Sequence, residues 1–285
     1  IVAIGCGFFA GVKSSCPDMK LTAAAYYEEY NLADFHIMSN YGLDDTDIEA
    51  IKKTVNVRGI SGGYSADVMV KSDDKNNLVL KAISYDLENP DTADNMNRPL
   101  LIEGRLPEKS GECVVEQSKL ANGKLAIGSK IQLYLEKDDI SESLKVTEYE
   151  IVGTINTPSY VGFQYGTTTV GDGEIDTYIL IPEEDFAFDV YTDVYLTLQE
   201  TEGLDPFEDE YGQIIEENTA LLENNDELTY NRYNDIVAEA QQELDDAKQE
   251  LADGEANAEE KLNDGWQEQV GGQAVLGRQE IYSTP

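Results

Sequence analysis

The chain opens on an uncharged run, Ile1-Val-Ala-Ile-Gly-Cys-Gly-Phe-Phe-Ala-Gly-Val12, and its first charge is Lys13. Crossing a bilayer takes about 20 apolar residues. The run therefore predicts the C-terminal end of a membrane helix, with Gly7 and Gly11 at the GxxxG spacing that lets such helices pack closely. A buried first strand is the alternative that a short apolar run leaves open. Leu21, Ala24, Ala25, Glu28 and Glu29 then keep helical spacing from Lys20 to Asn31, with Tyr26, Tyr27 and Tyr30 along it. A strand at Ala33–Ser39 follows, and Gly42 marks a turn. Asp44 or Asp45 caps a helix to Lys53, with acids in its first turn and lysines in its last, and Ile48 and Ile51 facing the core.

Next the period changes to that of strands, at Val55–Ile60, Tyr64–Lys71 and Leu78–Tyr85, with the polar turn Asp73-Asp-Lys-Asn-Asn77 between the last two. Leu87–Pro99 holds two prolines among Asp and Asn and reads as a loop at a subdomain boundary. A second β-rich stretch runs from Leu100 to about Val161. It contains Gly104-Arg-Leu-Pro107, Glu112-Cys-Val-Val-Glu116, Ile127-Gly-Ser-Lys-Ile131 leading into Gln132–Leu135, and Tyr149–Ile155. The turn at Gly128-Ser129 before an alternating strand suits a small β-barrel or sandwich. Tyr160–Asp176 reads as a long loop, Tyr178–Ile181 and Val190–Leu198 as strands, and Pro206–Asn225 as a polar helix.

In the last quarter Val237, Leu244, Leu251 and Ala258 recur every seven residues, with Ala240, Ala247 and Gly254 between them. Leu251-Ala-Asp-Gly254 is echoed eleven residues on by Leu262-Asn-Asp-Gly265. Mixed seven- and eleven-residue spacing predicts a coiled-coil-like stripe with little net supercoil. Such a thin stripe needs a partner helix. Val237, Leu244, Leu251, Leu262 and Trp266 are the candidate partner-contact residues, and a helical hairpin folded on itself is the alternative.

Charge sharpens this division. The chain carries 57 acids and 20 bases, a formal net charge of −37, and from Glu200 to Asp264 there are 22 acids against three bases. Nucleic-acid binding rests on Lys and Arg neutralising phosphates, so this chemistry excludes nucleic acid as a partner. The three cysteines, Cys6, Cys16 and Cys113, form no CxxC, and His36 is the only histidine, which removes a Cys/His zinc site. Cys6 also admits a lipoprotein acylation signal, with Ala3 where a larger aliphatic residue belongs. Gly5-Cys-Gly7-Phe-Phe-Ala10 after a short apolar run fits G-x-G-x-x-A, the signature of a NAD-type oxidoreductase. Its context is poor, because Pro17 falls in the helix it requires and the next strand ends in Ser39-Asn40, where the ribose-binding acid belongs. His36 alternates with Phe35 and Ile37 in a strand and reads as structural. Asp172–Asp176 lacks the glycine and closing glutamate of a calcium loop, and neither a Walker A nor a G-x-S-x-G motif occurs. No enzyme and no cofactor is expected.

The order of motifs resembles the extracytoplasmic domain, or MacB-like periplasmic core, of MacB/FtsX-like ABC transporter permeases. Gly7-Phe-Phe-Ala-Gly11, Pro17-Asp-Met19, Asn31-Leu-Ala-Asp-Phe35, Ser39-x-x-Gly-Leu43 with Asp47, Gly104-Arg-Leu-Pro107, Gly111-Glu-Cys-Val-Val115 and Ile127–Ile131 carry it, over residues 1 to about 200. The resemblance implies an α+β fold, with a βαβ-type porter-like lobe, an inserted small β-rich lobe and, as in some Gram-positive members, an added acidic helical arm. The expected division is a membrane-helix end at 1–12 and porter-like lobe at 13–95 and 174–225. The inserted lobe is expected at 96–173, the arm at 226–268, and a return linker towards the membrane at 269–285. It further implies a cell-membrane location with the domain outside, and a non-catalytic part that passes ATP-driven motion to export or to an extracellular partner. The implied partners are a cytoplasmic ABC ATPase, a second permease copy or half, and an extracellular protein on the arm. A membrane-anchored extracellular binding or adhesion module is the alternative from another class.

Overall fold

The computed structural model describes residues 2–70, 77–87, 94–117, 125–162 and 165–281; for residues 2–12, 14, 40, 226–232, 235, 268 and 270–281 it describes the backbone alone. The expected Asp73–Asn77 turn, up to its last residue, and the Cys6 side chain fall outside this. The chain forms two compact units, Ile1–Thr229 and Tyr230–Pro285.

Helix α1 runs unbroken over Val2–Glu29 with Pro17 inside it. Proline removes one ladder hydrogen bond and usually kinks or ends a helix; here the helical residues on both sides carry it through. Gly5–Ala10 therefore lies within a helix, and the strand-then-turn context that a dinucleotide fingerprint requires is absent. The alternative of a first strand fails for the same reason. Among the described residues no helix is long and apolar enough to cross a membrane.

The first lobe is a split β-α-β unit. Strands β1 (Phe35–Leu43) and β2 (Val57–Gly63) are joined by helix α2 (Asp45–Thr54). Both pair antiparallel with the late strand β10 (Tyr191–Leu198), which lies between them. Asp44 is the N-cap of α2, accepting from the Thr46 and Asp47 amides while Asp47 accepts from its own, a reciprocal capping box. Ile48, Ile51 and Val55 pack on Val194, Leu196 and Leu198, with Ile214 and Leu222 of helix α3 (Asp209–Glu223) completing the core.

The second lobe holds strands β3 (Ser65–Val70), β4 (Leu78–Tyr85), β5 (Leu100–Gly104), β6 (Glu112–Glu116), β7 (Lys130–Tyr134), β8 (Glu148–Asn156) and β9 (Thr177–Pro182), in the order β5-β8-β6-β9-β4-β3-β7. The additional β8–β7 pairing closes six of them into a barrel. Pairs β4–β9 and β6–β8 are parallel. Strand β9 is buried on both faces, and its alternation feeds two cores. Ile179 and Ile181 join Val68, Leu80, Leu133 and Ile151, whereas Tyr178 and Leu180 join Val114 and Ile155.

The β-rich lobe is thus larger than 96–173. Strands β3, β4 and β9, expected in the porter-like lobe, belong to the barrel. Their apolar patterns announce burial, but which sheet they join is decided by pairings up to a hundred residues apart in sequence, such as Ala82 with Ile179.

The motif glycine Gly104 sits where the barrel is tightest. Gly104, at φ +80°, opposes Gly153, and a Cβ on either would meet backbone at 2.3 or 2.4 Å. Next to it Arg105 reaches Glu112 with two hydrogen bonds of 2.7 and 2.6 Å, and the Glu108 amide donates to the same carboxylate at 3.0 Å. These bonds, the guanidinium's foremost, hold the Glu112 carboxyl at about 2, against an ordinary 4.5.

Two outcomes follow. Gly104→Ala and Gly153→Ala are each expected to cost at least about 3 kcal/mol in denaturant unfolding. Gly203→Ala, at φ +76° with open space around its Cβ, should cost only about 1 kcal/mol. Because Glu112 binds its proton less readily folded than unfolded, its contribution is complete above about pH 4.5 and is lost as pH falls through about 2. Glu112→Gln should therefore lower stability at neutral pH and flatten the stability profile between those two values, as measured by urea unfolding across pH.

Candidate functional site

Three features of the described residues bear on function: the end of α1, a cleft between the two lobes, and the stripe on the last helix.

Helix α1 ends in a Schellman motif. Asn31 takes φ +50°, the left-handed position that Asn tolerates, while Leu32 donates to the Tyr27 carbonyl at 2.9 Å and Asn31 to that of Glu28 at 3.2 Å. The segment 95–98 binds the carbonyls left over. Arg98 donates to Glu29 O at 2.7 Å through its guanidinium and to Tyr30 O at 2.9 Å through its amide, and the Asn97 amide donates to Asn31 O at 2.8 Å. Three residues on, Asp34 accepts from the Leu198 amide at 2.7 Å, the Thr201 hydroxyl at 2.6 Å and the Tyr211 hydroxyl at 2.7 Å. One carboxylate thus ties the end of α1 to β10, to the turn beyond it and to α3. Burial and the neighbouring Asp34 push the Tyr211 phenol above its ordinary range. The Asn31–Phe35 motif is therefore a helix stop followed by an anchor, a role that sequence spacing alone does not disclose.

The cleft holds about 570 Å³. One wall comes from the first sheet, with His36, Gly62 and Tyr195, and the other from the barrel, with Ser84, Tyr160 and Leu180. His36 Nε2 lies 2.5 Å from Asp193 Oδ1, and its ring stacks on Tyr195 at 4.5 Å. Burial pushes the Asp193 carboxyl up, but hydrogen bonds from His36, Thr192 and Ser65 outweigh it and leave the group below its ordinary value. The expected structural part for His36 gains this partner. Among the described residues no group of three His, Cys, Asp or Glu side chains has the arrangement of a metal site. Cys16 is exposed, and burial raises the Cys113 thiol well above its ordinary range.

Helix α4 (Asp226–Ile281) is one continuous element, so residues 269–281, expected as linker, are helical. Its glycines there weaken the helix without ending it, each costing about 1 kcal/mol relative to Ala. Val237, Leu244, Leu251, Leu262 and Trp266 all lie on this helix and are 48–65% exposed. At 3.6 residues per turn they fall within an arc of about 60° and span about 44 Å. Gly254 and Gly265 have open space where a Cβ would stand.

No protein-family model matches the chain, and no curated protein matches it in sequence. Among solved structures the chain is similar to the extracellular domain of the noncanonic ABC-type transporter YknZ from Gram-positive bacteria, at 10% identity and a TM-score of 0.34, over 64% of this chain and 87% of that one. It is also similar to the periplasmic region of MacB from Actinobacillus actinomycetemcomitans, at 10% identity and a TM-score of 0.32, over 65% of this chain and 74% of that one.

The anchor makes a graded prediction. Asp34→Ala removes the acceptor of two hydroxyls and a backbone amide and should cost about 3 kcal/mol, whereas Tyr211→Phe, which removes one donor, should cost about 1 kcal/mol. Equal costs in urea unfolding would contradict Asp34 as the shared tie.

Proposed function

We propose that the chain is the extracytoplasmic domain of an ABC transporter permease, without a catalytic site of its own, that passes ATP-driven motion of membrane helices outward to export or to an extracellular partner. The junction at the end of α1 carries this reading. A helix that begins with an uncharged run is bound, carbonyl by carbonyl, to residues 95–98 and through Asp34 to β10 and α3. Displacing such a helix moves the sheet with it, because no flexible linker intervenes. The motif resemblance over residues 1 to about 200 supports the same reading, as does the split β-α-β lobe into which the barrel is inserted between β2 and β10. The partners are then a cytoplasmic ABC ATPase and a second permease copy or half. The exposed stripe from Val237 to Trp266 is the contact for an extracellular protein. That stripe also favours a second reading, an anchored binding or adhesion module, which needs no ATPase.

The test uses the full-length gene product in its own membrane. A membrane-impermeant maleimide applied to intact cells should label the exposed Cys16, and Cys16→Ser should remove the label; labelling only after lysis would sink the external placement. Detergent extraction should bring down an ATP-hydrolysing subunit, and its absence would favour the adhesion reading. Photo-crosslinkers at Leu251 and Trp266 should capture a partner, while one at Asp246, about 180° round the helix from the stripe, should not.

A further inference from the structure

The cleft between the two lobes has the size and position of a ligand site rather than of a packing defect. Its volume of about 570 Å³ falls in the range of about 300–1,000 Å³ typical of small-molecule pockets, which form preferentially where two folded bodies meet. Its lining is mixed. The rings of Tyr160 and Tyr195 stand in it, each braced by a stacked neighbour, Tyr178 at 4.9 Å and His36 at 4.5 Å. Ile83, Met96 and Leu180 supply apolar surface.

Charge selects the class of ligand. Asp86, Asp94 and Glu183 are among the residues that line the cleft, and no Lys or Arg is among the described ones. His36, which also lines the cleft, lies 2.5 Å from the Asp193 carboxylate through Nε2. A carboxylate or phosphate entering this space meets like charge from Asp86, Asp94 and Glu183, in a chain already at −37, whereas a cation is favoured by the net field. Tyrosine rings add attraction for a cation close to their faces and apolar contact for the rest of the molecule. We propose that this cleft binds a small cationic ligand, a primary ammonium or guanidinium group carried on an aromatic body, in contact with both lobes at once. The proposal is independent of the permease reading: either can fail alone.

The sequence supplies two internal reporters, since His36 is the only histidine and Trp266 the only tryptophan. His36 stands in the cleft and Trp266 on the acidic last helix. The whole chain is titrated with phenylalanyl-arginine amide while the imidazole and indole resonances are followed by NMR. Binding in the cleft shifts the His36 signals saturably and leaves Trp266 unmoved. Acetyl-glutamyl-phenylalanine, with the same ring and the opposite charge, should not shift them. Spermidine, a cation without a ring, should bind at least about fivefold more weakly. Asp86→Asn with Glu183→Gln, a pair of near-isosteric changes, should weaken dipeptide binding by about fivefold or more. Ser159→Trp, at the exposed lip, should block it sterically. Shifts confined to Trp266, equal binding of spermidine, or binding of the neutral disaccharide diacetylchitobiose in place of the dipeptide would each overturn the proposal.

Discussion

Closure of the barrel turns on how strand β8 shares its two edges. One edge pairs with β6 from Glu150 to Ile155, and the other is divided, Glu148–Glu150 to β7 and Gly153–Asn156 to β5. A strand can serve three neighbours only if one of them leaves as another arrives, and the changeover crowds backbone against backbone at Gly104 and Gly153. Polar ties then hold the same corner. Arg105 and Glu112 connect the exit of β5 to the entry of β6, and Asp185 accepts from the Ser110 hydroxyl and the Gly111 amide. Because Arg105 is nearly half exposed, this ion pair is worth less than a buried one, and its value lies in geometry as much as energy.

That closed barrel is joined to the first lobe at two points. Only Tyr64 separates β2 from β3. Its amide donates to the Ser84 hydroxyl at 2.9 Å, and its carbonyl accepts from the Ser84 amide at 2.8 Å. The next amide, Ser65, donates to Thr192 at 2.7 Å. The second crossing, between β9 and β10, carries Phe186 and Phe188, whose rings meet Tyr64 at 5.7 and 6.3 Å. Two short crossings, each fixed by hydrogen bonds or ring contacts, thus join the first lobe to the barrel. The cleft opens beside the first crossing, where Gly63 and Ser84 line it.

Local features were legible from residue chemistry, and non-local ones were not. The capping of α2, the turn at Gly128, and strands such as β4 and β10 follow from caps, glycines and period-two burial, all written within a few residues of where they act, whereas Gly42, expected as a turn, lies inside β1 at φ +76°. The extent of the barrel was missed because β4 and β9 meet in parallel across nearly a hundred residues, and a buried strand looks the same in either sheet. The motif Gly104-Arg-Leu-Pro107 was visible as a string, but its meaning needs Gly153 opposite and Glu112 beside it. The cleft had no signal at all: its residues come from seven separate stretches, and each taken alone is an ordinary strand segment or loop. His36 was rightly read as part of a strand, yet its partner Asp193 is 157 residues away. Pro17 misled in the other direction, since a rule about single residues predicts a break that its helical neighbours prevent.

The last helix poses the remaining physical question, why so acidic an element keeps an apolar stripe in water. A coiled-coil seam carries two large apolar residues per seven, whereas here five are spread over thirty positions with Ala240, Ala247 and Ala258 between them. Most of the carboxylates, Glu239, Asp246, Glu250, Asp253, Glu260 and Asp264 among them, lie roughly opposite the stripe at helical spacing. Their mutual repulsion therefore falls mainly on the face away from the stripe, while Lys248 and Glu255 lie within its arc as an opposite-charge pair. Exposed Leu and Trp side chains gain nothing for an isolated helix, and Gly254 and Gly265, which no neighbour in this chain requires, each cost it about 1 kcal/mol. Both features become favourable together when a second narrow helix lies along the stripe: small residues let the backbones approach, and the five large ones leave water. On the proposed reading, the arm is shaped for a helical partner of modest apolar width rather than for a broad flat surface.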